Sequence, residues 1–175
     1  MNNVEWTPEW LAETIKLLRT HGSDTQFIEV KKAHGGYPGS LDATLSSFSN
    51  SSTGGIIICG LDENNDFAPV GVYDPADLEK TLGNKLRRGL KPPNTMESGT
   101  ILYEDAKIFV AAVPPLPPYE RPAYIGGKAY VRSGDGDHEM SRHETDLMVA
   151  QRTRTGFDEE PVSYTHLTLP TICSV

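Results

Sequence analysis

The sequence feature that most constrains the fold is the apolar run Ile56–Leu61, which reads IIICGL. Its β-branched residues and its short length predict a β-strand, and its lack of polar alternation predicts that both faces of the strand are buried. We therefore place it at the centre of a sheet. The polar stretch 50–55 before it and the acidic stretch 62–66 after it are typical of the turns that bound a strand.

Helix start signals occur at four places, near Thr7, Ser40, Asp74 and Ser141. Thr, Asp and Ser can accept hydrogen bonds from the first free N–H groups of a helix, and proline directly after two of them suits the first helical turn. Ser141 also has Glu144 three residues later, which is the pattern of a capping box. We expect this last helix to run to about residue 151.

The remaining patterns predict short strands and a mixed architecture. Polar and apolar residues alternate over 26–31, a hairpin is expected over 100–113, and 129–132 reads as another strand. No regular succession of strand, helix and strand is present. We therefore predict an α+β fold, a single domain with a mixed β-sheet, a central apolar strand and three to four helices. The 16 glycines and 13 prolines favour short elements over a helical bundle.

We expect an N-terminal helix within residues 1–22, one domain over 23–155 and a tail over 156–175. The segment 161–175 (PVSYTHLTLPTICSV) contains no Lys, Arg, Asp or Glu and has no helical or strand period. We interpret it as a translated cloning adapter, and the alternative is a natural disordered C-terminus. On the first interpretation, the natural protein continues beyond the domain into a longer chain.

Charge and composition exclude several classes of protein. The formal net charge of -8 argues against a generally basic nucleic-acid binder, although it leaves room for a local basic surface. No run approaches the ~20 apolar residues of a membrane span, and the acidic start of the chain is unlike a signal peptide. Two cysteines supply no disulfide framework. We therefore expect a cytoplasmic protein with no membrane partner. A Walker-type phosphate loop and a zinc-finger cysteine pattern are both missing from the sequence.

Three carboxylates are candidate catalytic and metal-binding residues: Asp24, Glu29 and Asp62. Glu29 falls on the first predicted strand and Asp62 directly follows the central one, so the sheet could bring them together. Convergent carboxylates can hold Mg²⁺ or Mn²⁺, which polarises a phosphodiester. The alternative is that Glu29 pairs with a neighbouring lysine and that Asp62 caps a turn.

Basic residues are concentrated on the third predicted helix. Lys80, Asn84 and Arg87 fall on one side at helical spacing, flanked by Arg88, whereas the leucines of the helix fall on the opposite side. A basic face suits contacts with phosphates, and the alternative is an ordinary solvated helix face. Arg132 ends a strand beside a glycine turn and is a further candidate, with an ion pair to a local acid such as Asp135 or Asp137 as the alternative.

Several motifs in a fixed order resemble the Schlafen-type AlbA-like domain of bacteria, also described as a divergent AAA or DNA-binding domain. They are the Glu-x-Lys at Glu29–Lys31, the segment Phe48–Gly55, Gly60–Glu63 and Tyr130–Gly134. The resemblance covers about residues 20–152. It implies an α/β domain of bacterial transcriptional regulators and ATP-binding proteins, usually followed by an ATPase-like or winged-helix region.

In Schlafen nucleases of this family an acidic cluster cuts structured RNA with a divalent metal, and the resemblance places Asp24, Glu29 and Asp62 at the matching positions. The nuclease pattern has Glu where this chain has Asp24. The resemblance also implies that any ATP site belongs to a longer parent protein.

Three functional hypotheses follow. The first is a nucleic-acid-binding module, with DNA as the expected polymer, whose phosphates contact Lys31, Lys80, Arg87, Arg88 and Arg132. The second is a (ribo)nuclease that uses Mg²⁺ or Mn²⁺ at the three carboxylates. The third is a protein-interaction or assembly module, which includes a homo-oligomer.

Overall fold

The computed structural model describes residues 5–134 and 136–158, so the segment 161–175 that we interpret as an adapter lies outside the described residues. In chain order, the helices and strands are α1 (Pro8–His21), β1 (Ile28–Lys31), α2 (Leu41–Asn50), β2 (Gly55–Cys59), β3 (Leu61–Asp62), β4 (Ala68–Pro69), α3 (Pro75–Asn84), β5 (Leu90–Lys91), β6 (Glu97–Tyr103), β7 (Ala106–Val113), β8 (Tyr124–Ile125), β9 (Lys128–Ser133), β10 (Gly136–Glu139) and α4 (Arg142–Asp158). A π-helical turn (Lys85–Gly89) follows α3, and 3₁₀ turns span Glu63–Asn65 and Pro118–Glu120.

The central sheet has the strand order β1-β2-β7-β6. β2 pairs in parallel with β1 and antiparallel with β7, so the sheet is mixed and the apolar run occupies an inner strand, as predicted. The side chains of β2 alternate between the two faces of the sheet, as the two-residue period of a strand requires. Ile57 and Cys59 pack into one core, and Ile58 packs into the other. Both faces are therefore covered.

The predicted hairpin is formed by β6 and β7. Glu104 and Asp105 connect them with φ of 47° and 61°, and two left-handed residues in succession match the twist that a tight hairpin requires.

Helices cover the two faces of the central sheet unequally. α1 packs on one face through Leu11, Ile15 and Leu18, all of which are buried. The other face carries α2 and α3, and Leu78 and Leu82 of α3 lie in its core together with Leu86 of the turn after it. Three of the four predicted caps are present: Thr7 accepts from Trp10, Asp74 accepts from Asp77, and Ser141 exchanges hydrogen bonds with Glu144. At α2, Ser40 precedes the helix as predicted, but its side chain makes no capping hydrogen bond. α4 continues to Asp158, beyond the predicted end near residue 151.

A second, antiparallel sheet with the order β10-β9-β8-β5 packs against α2. The sequence patterns predicted only one of its strands, because β5 and β8 are two residues long and leave no measurable alternation. The fold is nevertheless the predicted single α+β domain with four helices.

Between the two sheets, α2 is buried along most of its length, including its polar residues. Ser46 donates to the carbonyl of Ala123 and accepts from the N–H of Tyr130. Asn50 donates to the carbonyls of both Ala123 and Tyr130 and accepts from Ala123 N–H. The hydroxyls and amide of α2 thus replace water as partners for the backbone of the second sheet.

In the part of the chain that the structure describes, none of the helices combines the length and apolar character needed to span a membrane.

Candidate functional site

The exposed side of α3 and its π-helical turn carries three basic residues, Lys80, Arg87 and Arg88. Among the side chains of residues 5–134 and 136–152, none offers these three residues an ion pair or a hydrogen bond. The nearby Lys85 differs, because its ammonium lies 2.8 Å from Asp42 and 5.5 Å from the centre of the Tyr37 ring. Three cations are therefore available to an anionic partner.

The chain does not remain α-helical through these residues. α3 ends at Asn84, and the following five residues form a π-helical turn. At the end of this turn, the N–H of Leu90 donates a hydrogen bond to the carbonyl of Lys85. The wider turn still leaves Leu86 buried in the core and Arg87 exposed. The predicted separation of an apolar side and a basic side is thus retained across the change of helix type.

Lys80, Asn84 and Arg87 line a common recess of about 360 Å³, which we call the basic recess. Gly83 forms part of the same wall, and the facing wall consists of Asn94, Thr95, Met96 and Ser98 at the start of β6. The one carboxylate of the lining, Glu79, accepts a hydrogen bond of 2.6 Å from Ser98. The recess therefore combines cationic side chains with neutral hydrogen-bond donors and acceptors and with the apolar side chain of a methionine.

A second recess of about 500 Å³ adjoins the first, and Thr95 and Met96 line both. It lies where β1, β2 and β6 begin and β7 ends, and its walls include the apolar residues Phe27, Ile56 and Val113. We call it the apolar recess. Phe27 is 51% exposed, which leaves much of its ring accessible at this surface.

The predicted phosphate contact Arg132 is not at the surface. Its side chain is 2% exposed, and Nη1 lies 2.7 Å from Glu29 and 3.1 Å from Asp137. The other nitrogens donate to the carbonyls of Thr25 and Ile28, and the guanidinium lies 5.3 Å from the centre of the Phe48 ring. Arg132 therefore forms the ion pair with Asp137 that was the alternative interpretation of the sequence. Its N–H donors are used within the protein, so none is left for a phosphate.

Lys31 is likewise engaged by acids of its own chain. Its ammonium lies 2.7 Å from Glu29 and 3.5 Å from Glu63. Burial alone would lower the pKa of Lys31, but the hydrogen bond to Glu29 and the charges of Glu29, Glu63 and Asp24 together raise it. Lys31 thus stabilises an internal acidic cluster and is a poor candidate for a phosphate contact.

Asp24 lies beside this cluster and accepts a hydrogen bond of 3.2 Å from the N–H of Val30. Burial, and then the charges of Glu29 and Glu63, raise the pKa of Asp24 to about 7. The cluster that acts on Asp24 therefore contains Glu63, which the sequence analysis did not single out. Its position directly after Asp62 was the available signal, but sequence alone does not show which of two adjacent acids faces β1.

Asp62 performs the turn-capping role that was its alternative interpretation. It lies 2.8 Å from the ammonium of Lys32 and accepts from the N–H of Asn64. The hydrogen bond from Lys32 is the main cause that lowers the pKa of Asp62.

The three predicted metal ligands do not form a metal site. Both carboxylate oxygens of Glu29 are bound by cations, one by Lys31 and the other by Arg132. Within the described ranges, no three His, Cys, Asp or Glu side chains are grouped so that they could hold a metal ion. Because both oxygens of Glu29 and one oxygen of Asp62 are engaged by cations of the protein, the arrangement of Asp24, Glu29 and Asp62 does not fit Mg²⁺ or Mn²⁺.

Comparisons with known proteins agree with this fold. The family model described as Schlafen, AlbA_2 matches residues 24–141. A solved structure of the N-terminal domain of a Nitrosomonas europaea protein, described as related to the ATP-dependent DNA helicase RecG, is similar with a TM-score of 0.57 and 23% identity, and the match covers 75% of this chain and 94% of that one. No curated protein sequence matches the chain.

A second similar structure is the DIP2311 protein from Corynebacterium diphtheriae, with a TM-score of 0.54 and 15% identity. That match covers 82% of this chain but 32% of the other. At these identities the two structures support the fold alone.

Proposed function

The chain belongs to the Schlafen, AlbA_2 family, and on this basis we propose that it is a nucleic-acid-binding module that contacts DNA phosphates through Lys80, Arg87 and Arg88. The observation that carries the proposal is the exposure of these three cations, without internal partners among the described residues, on one side of α3 and the turn after it. Arg and Lys contacts to phosphate supply most of the affinity of such modules.

The net charge of -8 is compatible with this proposal because several acids are held in ion pairs that do not involve Lys80, Arg87 or Arg88. Glu29 and Asp137 pair with Arg132, Asp62 pairs with Lys32, and Asp42 pairs with Lys85. A phosphate backbone responds to the field near its binding surface and not to the total charge. We take DNA as the polymer only by analogy with the structure neighbour that is described as related to a DNA helicase, whose likeness to this chain is one of fold.

Arg132 and Lys31 are left out of the proposed surface, since both are held by Glu29. The metal-dependent nuclease considered from the sequence is not the function we propose, because the carboxylates that it needs are bound by cations of the protein. A role in a transcriptional regulator, and any ATP-dependent activity, belong in this proposal to a longer parent protein.

A salt titration of duplex DNA binding tests the proposal. The double variant Lys80→Glu with Arg87→Glu should abolish binding at low salt, because two phosphate contacts become repulsive. The matched control is Lys16→Glu with Lys107→Glu, which changes the net charge equally at exposed lysines outside the basic recess. Equal loss in both double variants, or no binding of the unmodified protein to either duplex or single-stranded DNA at low salt, overturns the proposal.

A further inference from the structure

We infer that this surface takes single-stranded DNA in preference to duplex, with unpaired bases in the basic and apolar recesses and phosphates at Lys80 and Arg87. The inference rests on the proposed function and adds the strandedness of the ligand. It starts from the shape of the surface, because Lys80 and Arg87 line a recess. Direct reading of duplex DNA requires an element that enters a groove, whereas an unpaired base can enter a recess.

The size and lining of the basic recess suit a base. Its volume of about 360 Å³ lies within the range of small-molecule sites, about 300–1,000 Å³. Met96 offers an apolar surface, and Asn84 and Thr95 offer polar atoms beside it. Proteins hold flipped and single-stranded bases in this way, with apolar side chains against the base ring and hydrogen bonds to the edge of the base.

The adjoining apolar recess gives the strand a continuous path. Thr95 and Met96 line both recesses, so a nucleotide next to the first base would lie against the second recess. There the half-exposed ring of Phe27 is available to stack on a base. A positively charged groove beside an exposed aromatic ring is the usual arrangement of sequence-tolerant single-strand binding.

Gly83 allows the basic recess to be filled without a change in charge. A Cβ atom added to Gly83 would have Met96 Cε at 3.8 Å as its only neighbour within 4 Å, an ordinary contact. Gly83 lies within α3, where a residue with a side chain is a better helix former than glycine. Gly83→Leu should therefore fold and occupy the recess. Gly35→Leu is the matched control, because a Cβ at Gly35 meets nothing within 4 Å and Gly35 is outside both recesses.

The experiment measures binding of a labelled oligo-dT strand of about 12 nucleotides, a length within known site sizes, and of a blunt duplex of the same length at the same salt concentration. We expect the single strand to bind about tenfold more tightly than the duplex. Phe27→Ala should weaken single-strand binding by about tenfold, since one stacked base is lost, and should leave duplex binding unchanged. Gly83→Leu should also weaken single-strand binding, and Gly35→Leu should leave single-strand binding unchanged.

The outcomes separate this inference from the proposed function. Equal affinity for single strand and duplex, or unchanged single-strand binding in both Phe27→Ala and Gly83→Leu, overturns the inference and leaves the proposed function in place. Loss of binding to both probes by the unmodified protein overturns the proposed function as well. Thermal melting of each variant reports folding, and Phe27→Ala carries the test alone if Gly83→Leu does not fold, because the Phe27 side chain is half exposed.

Discussion

Arg132 and Glu29 form a buried ion pair, with Nη1 and Oε2 2.7 Å apart, that joins β9 of the second sheet to β1 of the central sheet. Asp137 shares the same guanidinium nitrogen at 3.1 Å and also accepts hydrogen bonds from Thr44 and Ser47 of α2. The three elements are thus connected through one network whose polar atoms are all satisfied among the described residues.

The first prediction concerns this network. Arg132→Met should lower the free energy of unfolding by about 3–5 kcal/mol, because it leaves buried carboxylates without their cation. Urea denaturation followed by circular dichroism measures the change. Lys128→Met is the control, since it removes one partner of an ion pair with Glu139 that is half exposed on both sides, and it should change stability little. Equal effects of the two substitutions would contradict the structural role of Arg132.

The second prediction concerns pH. In the folded protein the pKa of Asp24 is raised from 3.8 to about 7, so between these values the folded state keeps a proton that the unfolded state has lost. The contribution of Asp24 to the free energy of unfolding therefore falls as the pH rises from about 4 to about 7, and is constant above that range. Asp24→Asn removes this contribution and keeps an acceptor for Val30 N–H.

Urea denaturation of both proteins across this pH range isolates the effect, since other titrating groups cancel in the comparison. The asparagine variant should gain stability relative to the unmodified protein as the pH rises. A difference that does not depend on pH would show that the folded protein does not perturb Asp24.

The third prediction concerns the proposed phosphate contacts. Lys80→Ala and Arg87→Ala should each reduce the slope of log K against log salt concentration for duplex DNA by about 0.9, the value for one phosphate contact. Fluorescence anisotropy at several salt concentrations measures the slope. Lys16→Ala, an exposed lysine of α1 outside the basic recess, should leave it unchanged. An unaltered slope for both Lys80→Ala and Arg87→Ala would show that these residues do not contact DNA phosphates.

The fourth prediction concerns the entry to the central strand. A Cβ atom at Gly55 would lie 2.5 Å from the ring of Phe48, which is fully buried and has no room to move. Gly55→Ala should therefore cost about 1–3 kcal/mol through overpacking, measured by urea denaturation. Gly35→Ala meets no atom within 4 Å and should be nearly neutral. Similar stability of the two variants would contradict the packing of α2 against β2.

Much of the fold can be predicted from local sequence patterns, because the residues that start a helix or form a strand lie within a few positions of one another. The capping residues Thr7 and Asp74 mark the starts of two helices, and the apolar run identifies an inner strand of the sheet. The basic side of α3 follows from helical spacing in the same way, since Lys80, Asn84 and Arg87 do line one recess.

The features that sequence patterns miss depend on partners far apart in the chain. Arg132 pairs with Glu29, which is more than 100 residues away, and no local rule chooses between that acid and an exposed role. Asn50 is satisfied by the backbone of Ala123 and Tyr130, so its burial cannot be inferred from its polarity. The recesses arise where α3 meets the chain around the start of β6 and where β1 and β2 begin beside the end of β7, and their shape is a property of the assembled sheet.

The burial of α2 between two sheets has a consequence for mutational tolerance. Thr44, Ser46, Ser47 and Asn50 each have specific hydrogen-bond partners in a space without room for larger groups, although a polar helix of this composition would ordinarily be assigned to the surface. In a saturation library selected for folding, these positions should be as intolerant as the leucines beside them.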